Sequence, residues 1–191
     1  MNLLSRLPLL VRAVAFLDAD ERVSLQLAEW IRVGKLDQTS AAAFRLPRRN
    51  YYGDSTWMTC CGWFPDEQIR LYRKSKVHYS DRIHRAPDID GRVEALPLFG
   101  EAYLAHLSFP NLTARMEKMN LYSTISAEAM LADGKRIGSF GMVARTLFAF
   151  VQAYLLQKGF CFGALGVFLA LERSFFAYLK CAKLWELQHK E

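Results

Sequence analysis

One junction constrains this chain more than any other. At residues 15–24, AFLDADERVS, an apolar run passes straight into three carboxylates within four positions, Asp18, Asp20 and Glu21. Residues i and i+2 of a strand point to one face, so Asp18 and Asp20 at a strand's end converge on one volume. Hard divalent cations want oxygen ligands and complete their shells with phosphate oxygens. The junction therefore reads as a short buried strand, Val14 to Leu17, running into a metal–diphosphate site. The bland alternative is a solvated strand end whose acids precede a helix and complement its dipole.

The rest of the chain alternates strand and helix signals. Ser24 caps a helix running to about Val33, with Leu27, Trp30 and Ile31 on one face and Gly34 as its stop. Ala43 to Leu46 reads as a strand ended by Pro47, and Arg48-Arg49-Asn50 opens a loop carrying Gly53. The stretch WMTCCGWFPDE, residues 57–67, is an aromatic loop punctuated by Gly62 and Pro65. Ile69 to Arg73 alternates as a strand does. Val77–Tyr79, Arg82–His84 and Leu104–Leu107 are shorter strand candidates. A helix starts at Pro110, where a missing N–H does no harm, and ends near Asp133-Gly134.

After residue 138 the composition shifts. Thr146–Gln157 and Gly159–Leu171 carry no charge, and Lys158 separates them. Each run is shorter than the roughly 20 residues that span a bilayer. The cluster of Gly159, Gly163 and Gly166 predicts a turn, so 139–191 reads as an apolar, basic helical hairpin following a 1–138 domain. It lies on a membrane or on a partner, or else is an ordinary buried helix pair.

Net charge of +6 favours anionic partners such as nucleotides, phosphorylated lipids or an anionic membrane. The four cysteines include no CxxC pair and no zinc spacing, which fits reduced thiols in a cytoplasmic setting. The basic residues are scattered without a nucleic-acid motif, so no nucleic-acid partner is expected.

The blocks DADE, FRLPRRNYYGD, GWFPDEQIRLYR, LAHLSF and KCAKLWEL, in this order, resemble family 2 glycosyltransferases with the GT-A fold. The nearest group is the bacterial branch that builds the lipopolysaccharide core and related surface glycans. The resemblance runs from about residue 13 to 187. It implies an α/β fold with an incomplete GT-A-like (Rossmann-like) sheet. The implied activity is inverting, metal-dependent transfer of a sugar from a nucleotide-sugar to a glycan or glycolipid acceptor, on the inner membrane's cytoplasmic side.

The resemblance also implies roles. Asp18 and Asp20 match the D-x-D that holds Mg²⁺ or Mn²⁺ and the donor diphosphate. Asp66 matches the acid that deprotonates the acceptor hydroxyl, and His106 a position that completes the metal site with Asp20. Arg70 is placed to meet phosphate or acceptor. Trp63, with Trp57 and Phe64, either stacks on a sugar face or belongs to the core. Arg48 and Arg49, with Arg45, Arg73 and Lys74, face either an anionic acceptor or solvent. His84 matches the family's usual histidine, but Arg85 stands where a glutamate commonly follows.

In this family several strands precede the D-x-D and bind the donor's base and ribose. Here only 17 residues precede Asp18. The expectation is therefore a C-terminal part of such an enzyme, with weak donor binding by the chain alone or a missing half on another chain. The competing expectation is a non-catalytic, membrane-associated interaction module derived from such an enzyme.

Overall fold

The computed structural model describes residues 13–53, 55–78, 87–109 and 111–190. Pro110, His84, Arg85 and the strand expected over Arg82–His84 lie outside them. In chain order the elements are β1 (Ala13–Ala15), β2 (Glu21–Val23), α1 (Leu25–Arg32), β3 (Ala43–Tyr52), β4 (Thr56–Trp57), β5 (Glu67–Arg73), β6 (Val77–His78), β7 (Asp88–Ile89), β8 (Val93–Ala95), β9 (Leu104–Phe109), α2 (Leu112–Ala132), α3 (Ser139–Val151) and α4 (Gly163–Gln188). The architecture is α/β, a mixed sheet followed by apolar C-terminal helices. Two compact units emerge, one of residues 1–51 and 65–108, the other of 52–64 and 109–191.

The first unit is built on a sheet of order β1-β5-β3-β9-β2. Strand β5 runs antiparallel to both β1 and β3, β2 antiparallel to β9, and β8 parallel to the start of β3. Its core gathers Leu27, Leu36, Phe44, Leu46, Leu71, Leu96 and Leu104, with Trp30 edge-on to Phe44. Helix α1 presents Leu27, Trp30 and Ile31 to this core, as their spacing predicts. The Ser24 hydroxyl accepts from the Leu27 N–H at 3.1 Å, and Gly34, at φ +70°, lets the chain leave.

Two strands differ from the sequence reading. Strand β3 does not end at Pro47 but continues to Tyr52. Proline lacks only the donor, and the next residue resumes the ladder, Arg48 N–H donating to the Asp66 carbonyl at 2.8 Å. Strand β1 is shorter and less buried than a Val14–Leu17 core strand. It lies at the end of the described sheet, paired with β5, and Phe16 and Leu17 beyond it are 41% and 42% exposed.

The second unit is helical. Asn111 caps α2 by accepting the Ala114 N–H at 2.9 Å, and Gly134, at φ +73°, follows its end. A π-helical turn, Gln152–Leu156, extends α3, and a tight turn over Gly159–Phe162 leads into α4. The hairpin expected from the glycine cluster is present. Its core joins Ala153, Leu169 and Ala170 to Met58, Cys60 and Cys61 of the aromatic loop. The polar side chains of α4 turn toward α2: Lys183 Nζ donates to Asn120, Ser123 and Thr124, and Glu172 pairs with Arg115. The stretches Ser139–Leu156 and Gly159–Gln188 are each long and apolar enough to cross a membrane.

Close approach explains Gly166. A Cβ at Gly166 would lie 1.8 Å from the Gly159 carbonyl oxygen, so the turn fits α4 only without a side chain there. Gly166→Ala is therefore expected to lower stability by about 2 kcal/mol or more, an overpacking cost. Gly138→Ala, where a Cβ meets open space, should shift the denaturant midpoint little.

Candidate active site

The first unit brings six of the eight residues expected to form the site into one network. It begins at Glu21, whose side chain is fully buried at the start of β2. An isolated buried carboxylate costs several kcal/mol. Glu21 is instead satisfied from three directions. Its Oε1 accepts from Arg48 Nη1 and Arg70 Nη2, both at 3.1 Å, and its Oε2 accepts the Asp18 N–H at 3.2 Å. Arg70 also pairs with the Asp18 carboxylate. Arg48 and Arg70 thus act as internal counter-ions, each bridging Glu21 to a second carboxylate.

The extension of β3 past Pro47 builds the rest. Arg48 and Asn50 lie two apart on that strand and share a face. Both reach Asp66: Arg48 Nε and Asn50 Nδ2 each donate to its Oδ2 at 2.8 Å, while Gln68 Nε2 donates to Oδ1 at 2.9 Å. Burial pushes the Asp66 carboxyl upward, but the hydrogen bonds from Asn50, Gln68 and Arg48 outweigh it and hold its pKa below the ordinary carboxylate value. Asp66 is therefore ionised at neutral pH.

That charge fixes proton positions further on. An ionised carboxylate only accepts, so Asn50 turns its NH₂ to Asp66 and its carbonyl oxygen to His106. Asn50 Oδ1 lies 2.6 Å from His106 Nδ1, which must carry the proton. Burial, then the charge of Arg48, lower the His106 pKa, with Asp20 and Glu21 opposing, so the ring is neutral at pH 7. Its Nε2 then presents a lone pair 3.4 Å from Asp20 Oδ2. The register places them there, since Glu21 pairs with His106 across β2 and β9.

Two electron-pair donors at this separation suit adjacent positions on a small divalent cation. Among the described residues no group of three His, Cys, Asp or Glu side chains surrounds a common point. The donor set fits an ion that draws its remaining ligands from water and phosphate, the habit of Mg²⁺ and Mn²⁺.

Beside this network an open cleft of about 800 Å³ runs along β5, lined by Arg45, Asp66, Gln68, Arg70 and Tyr72. The other two expected residues stand elsewhere. Arg49 points away from Arg48 and Asn50: its guanidinium lies 3.8 Å over the Tyr103 ring and donates to the Gly100 carbonyl at 3.1 Å. Trp63 belongs to the helical unit, where the Arg115 guanidinium sits over its ring at 5.4 Å.

Sequence reasoning missed Asn50 and Gln68 and gave Glu21 no role. The signal was present. Arg48/Asn50 and Asp66/Gln68/Arg70 both keep the period of two that places residues on one strand face.

Similarity to known proteins points in one direction. An uncharacterised glycosyltransferase of Rickettsia typhi is 28% identical over 130 residues, covering 64% of this chain and 44% of that protein. Another from Rickettsia prowazekii is 26% identical over 129 residues, 63% of the chain and 44% of that protein. The lipopolysaccharide core biosynthesis glycosyltransferase LpsC of Rhizobium meliloti is 24% identical over 180 residues, covering 89% of this chain and 62% of that enzyme. The chain thus spans about half the length of the curated relatives it matches. No protein-family model and no solved structure matches it.

Two outcomes test the network. Glu21→Gln leaves Arg48 and Arg70 without their shared charge and is expected to cost about 3 kcal/mol by urea unfolding at pH 7. Asp66, with its depressed pKa, stabilises the fold fully above the unfolded carboxylate pKa of about 3.9, and this contribution disappears as pH falls through the lower folded value. The stability gap between the native chain and Asp66→Asn should therefore be widest at neutral pH and close below pH about 4.

Proposed function

We propose that this chain carries the metal-side and base-side groups of a family 2, GT-A-type glycosyltransferase. The enzyme moves a sugar from a nucleotide-sugar to a lipopolysaccharide-core or related surface-glycan acceptor, with inversion. One observation carries the reading. Asp66, ionised and held by three donors, is linked through Asn50 to a histidine that faces the second aspartate of the D-x-D. The similarity to LpsC, named for lipopolysaccharide core biosynthesis, supports the acceptor class.

The chemistry follows from the side chains. Asp66 receives the proton of the acceptor hydroxyl as that oxygen bonds to the anomeric carbon and the bond to the diphosphate oxygen breaks. Attack opposite the leaving group inverts the configuration. A carboxylate with a lowered pKa is a weak base, so the proton moves late, once the hydroxyl has become acidic through bond formation. Arg48 and Asn50 fix the carboxylate's orientation, and Arg70 holds Asp18 and Glu21 beside it. Asp20 and His106 would hold Mg²⁺ or Mn²⁺, which supplies Lewis-acid neutralisation of the departing diphosphate.

The helical unit fits work at a membrane face. Phe140, Leu147, Phe148 and Leu156 are 86%, 61%, 60% and 69% exposed, a larger apolar surface than a soluble helix usually leaves in water. Peripheral attachment to the inner membrane accounts for it. The same surface would serve a non-catalytic membrane module, and activity separates the two.

The test is sugar transfer by the full chain with Mn²⁺, a panel of nucleotide-sugars and a core glycolipid fraction. Asp20→Ala and Asp66→Asn should each lose at least about 100-fold in rate while circular dichroism stays native. Mn²⁺ affinity should hold at neutral pH and fall only in acid, below the ordinary histidine range, as His106 protonates. Native-like turnover by both variants would overturn the roles given to Asp20 and Asp66, and no transfer by the native chain would leave the module reading.

A further inference from the structure

The helical unit contains a second built cavity, of about 430 Å³, that the reaction above does not use. It lies among the Cys61–Trp63 turn, α2, the end of α3 and α4. Three cations line it, Arg115, Arg173 and Lys180, against one carboxylate, Glu172. Glu172 is 6% exposed and is neutralised by Arg115, whose guanidinium also sits over the Trp63 ring. The charge left over belongs to Arg173 and Lys180.

Both are held in place. Arg173 Nη1 donates to the Cys61 carbonyl at 2.9 Å, and Lys180 Nζ lies 5.1 Å from the centre of the Phe176 ring. The turn beside the guanidinium has a backbone conformation at residue 62 that favours glycine. Its φ is +82°, and a Cβ there would lie 2.4 Å from Arg173 Nη1. Two fixed cations between aromatic walls form a site for a compact anion of high charge. Arginine's planar fork suits the oxygens of phosphate, and lysine adds a point charge.

We infer that this cavity binds a phosphate ester, the phosphate group of an acceptor sugar or lipid headgroup. The inference rests on the glycosyl-transfer reading only in assigning that phosphate to the acceptor. Trp63 stands three residues before Asp66 in the chain, and β5 begins at the residue after Asp66. Helix α4 also has two separate uses. Arg173, Phe176 and Lys180 serve the cavity, while Val167, Leu171, Phe175 and Tyr178, spaced by four, four and three, form an exposed apolar stripe. An amphiphilic acceptor needs both kinds of surface.

The experiment measures binding of inorganic phosphate by calorimetry. Phosphatidylcholine vesicles with and without phosphatidic acid are measured by co-sedimentation. The full chain is compared with Lys180→Ala, Lys180→Gln and Asp20→Ala. The expected result is phosphate-dependent binding that weakens about tenfold in both Lys180 variants, with Asp20→Ala unchanged and melting temperatures alike. Dependence on Lys180 with phosphatidic acid alone identifies a lipid headgroup, and with free phosphate a soluble ester. Binding of neither probe, or binding indifferent to Lys180, overturns the proposal. Lys180-dependent binding without sugar transfer would sink the enzymatic reading and leave the cavity standing. Transfer with an unaltered acceptor KM in Lys180→Gln would do the reverse.

Discussion

The buried carboxylate of Glu21 organises the first unit. It sits where β2 begins, and the groups that neutralise it come from β3, β5 and the Asp18 backbone. Taking any one of them away would leave charge in a low-dielectric setting, so the three strands and the D-x-D turn are fixed together. This also explains the unequal fates of the three acids in DADE. The first is tied to Arg70, the second faces His106, and the third is the structural anchor.

The arginines take their meaning from this anchor. On a basic chain, arginines near a proposed phosphate site invite assignment to the ligand. Arg48 and Arg70 instead spend their forks on carboxylates of their own chain, and Arg49 on Tyr103 and a carbonyl. These three arginines are thus engaged within their own chain before any ligand arrives. In the helical unit the balance differs, with cations outnumbering carboxylate in the cavity.

Local signals in the sequence translated well where a single residue decides the outcome. The Ser24 cap, the glycines after α1 and α2, and the turn before α4 were legible, because capping and left-handed backbone are properties of one or two residues. What the sequence hid was cooperative. Pro47 is a strand breaker by its own chemistry, yet β3 passes through it because the neighbouring strand accepts the next N–H. Reading a loop there concealed Asn50, the residue that joins the two halves of the site. The burial of Phe16 and Leu17 was overread for a similar reason, since apolar character does not reveal which strand edges are covered.

Asn50 itself has a further consequence. Its amide has a sense: one end only gives protons, the other only receives them. With the giving end turned to Asp66, the receiving end dictates the tautomer of His106 more than 50 residues away in sequence. Neutralising Asp66 removes the reason for that sense, and the amide is then free to reverse. The histidine would lose its enforced proton at Nδ1 and with it the lone pair directed at Asp20. Asp66 and the histidine thus share one piece of information, carried by the orientation of a dipole, with no proton or ion passing between them.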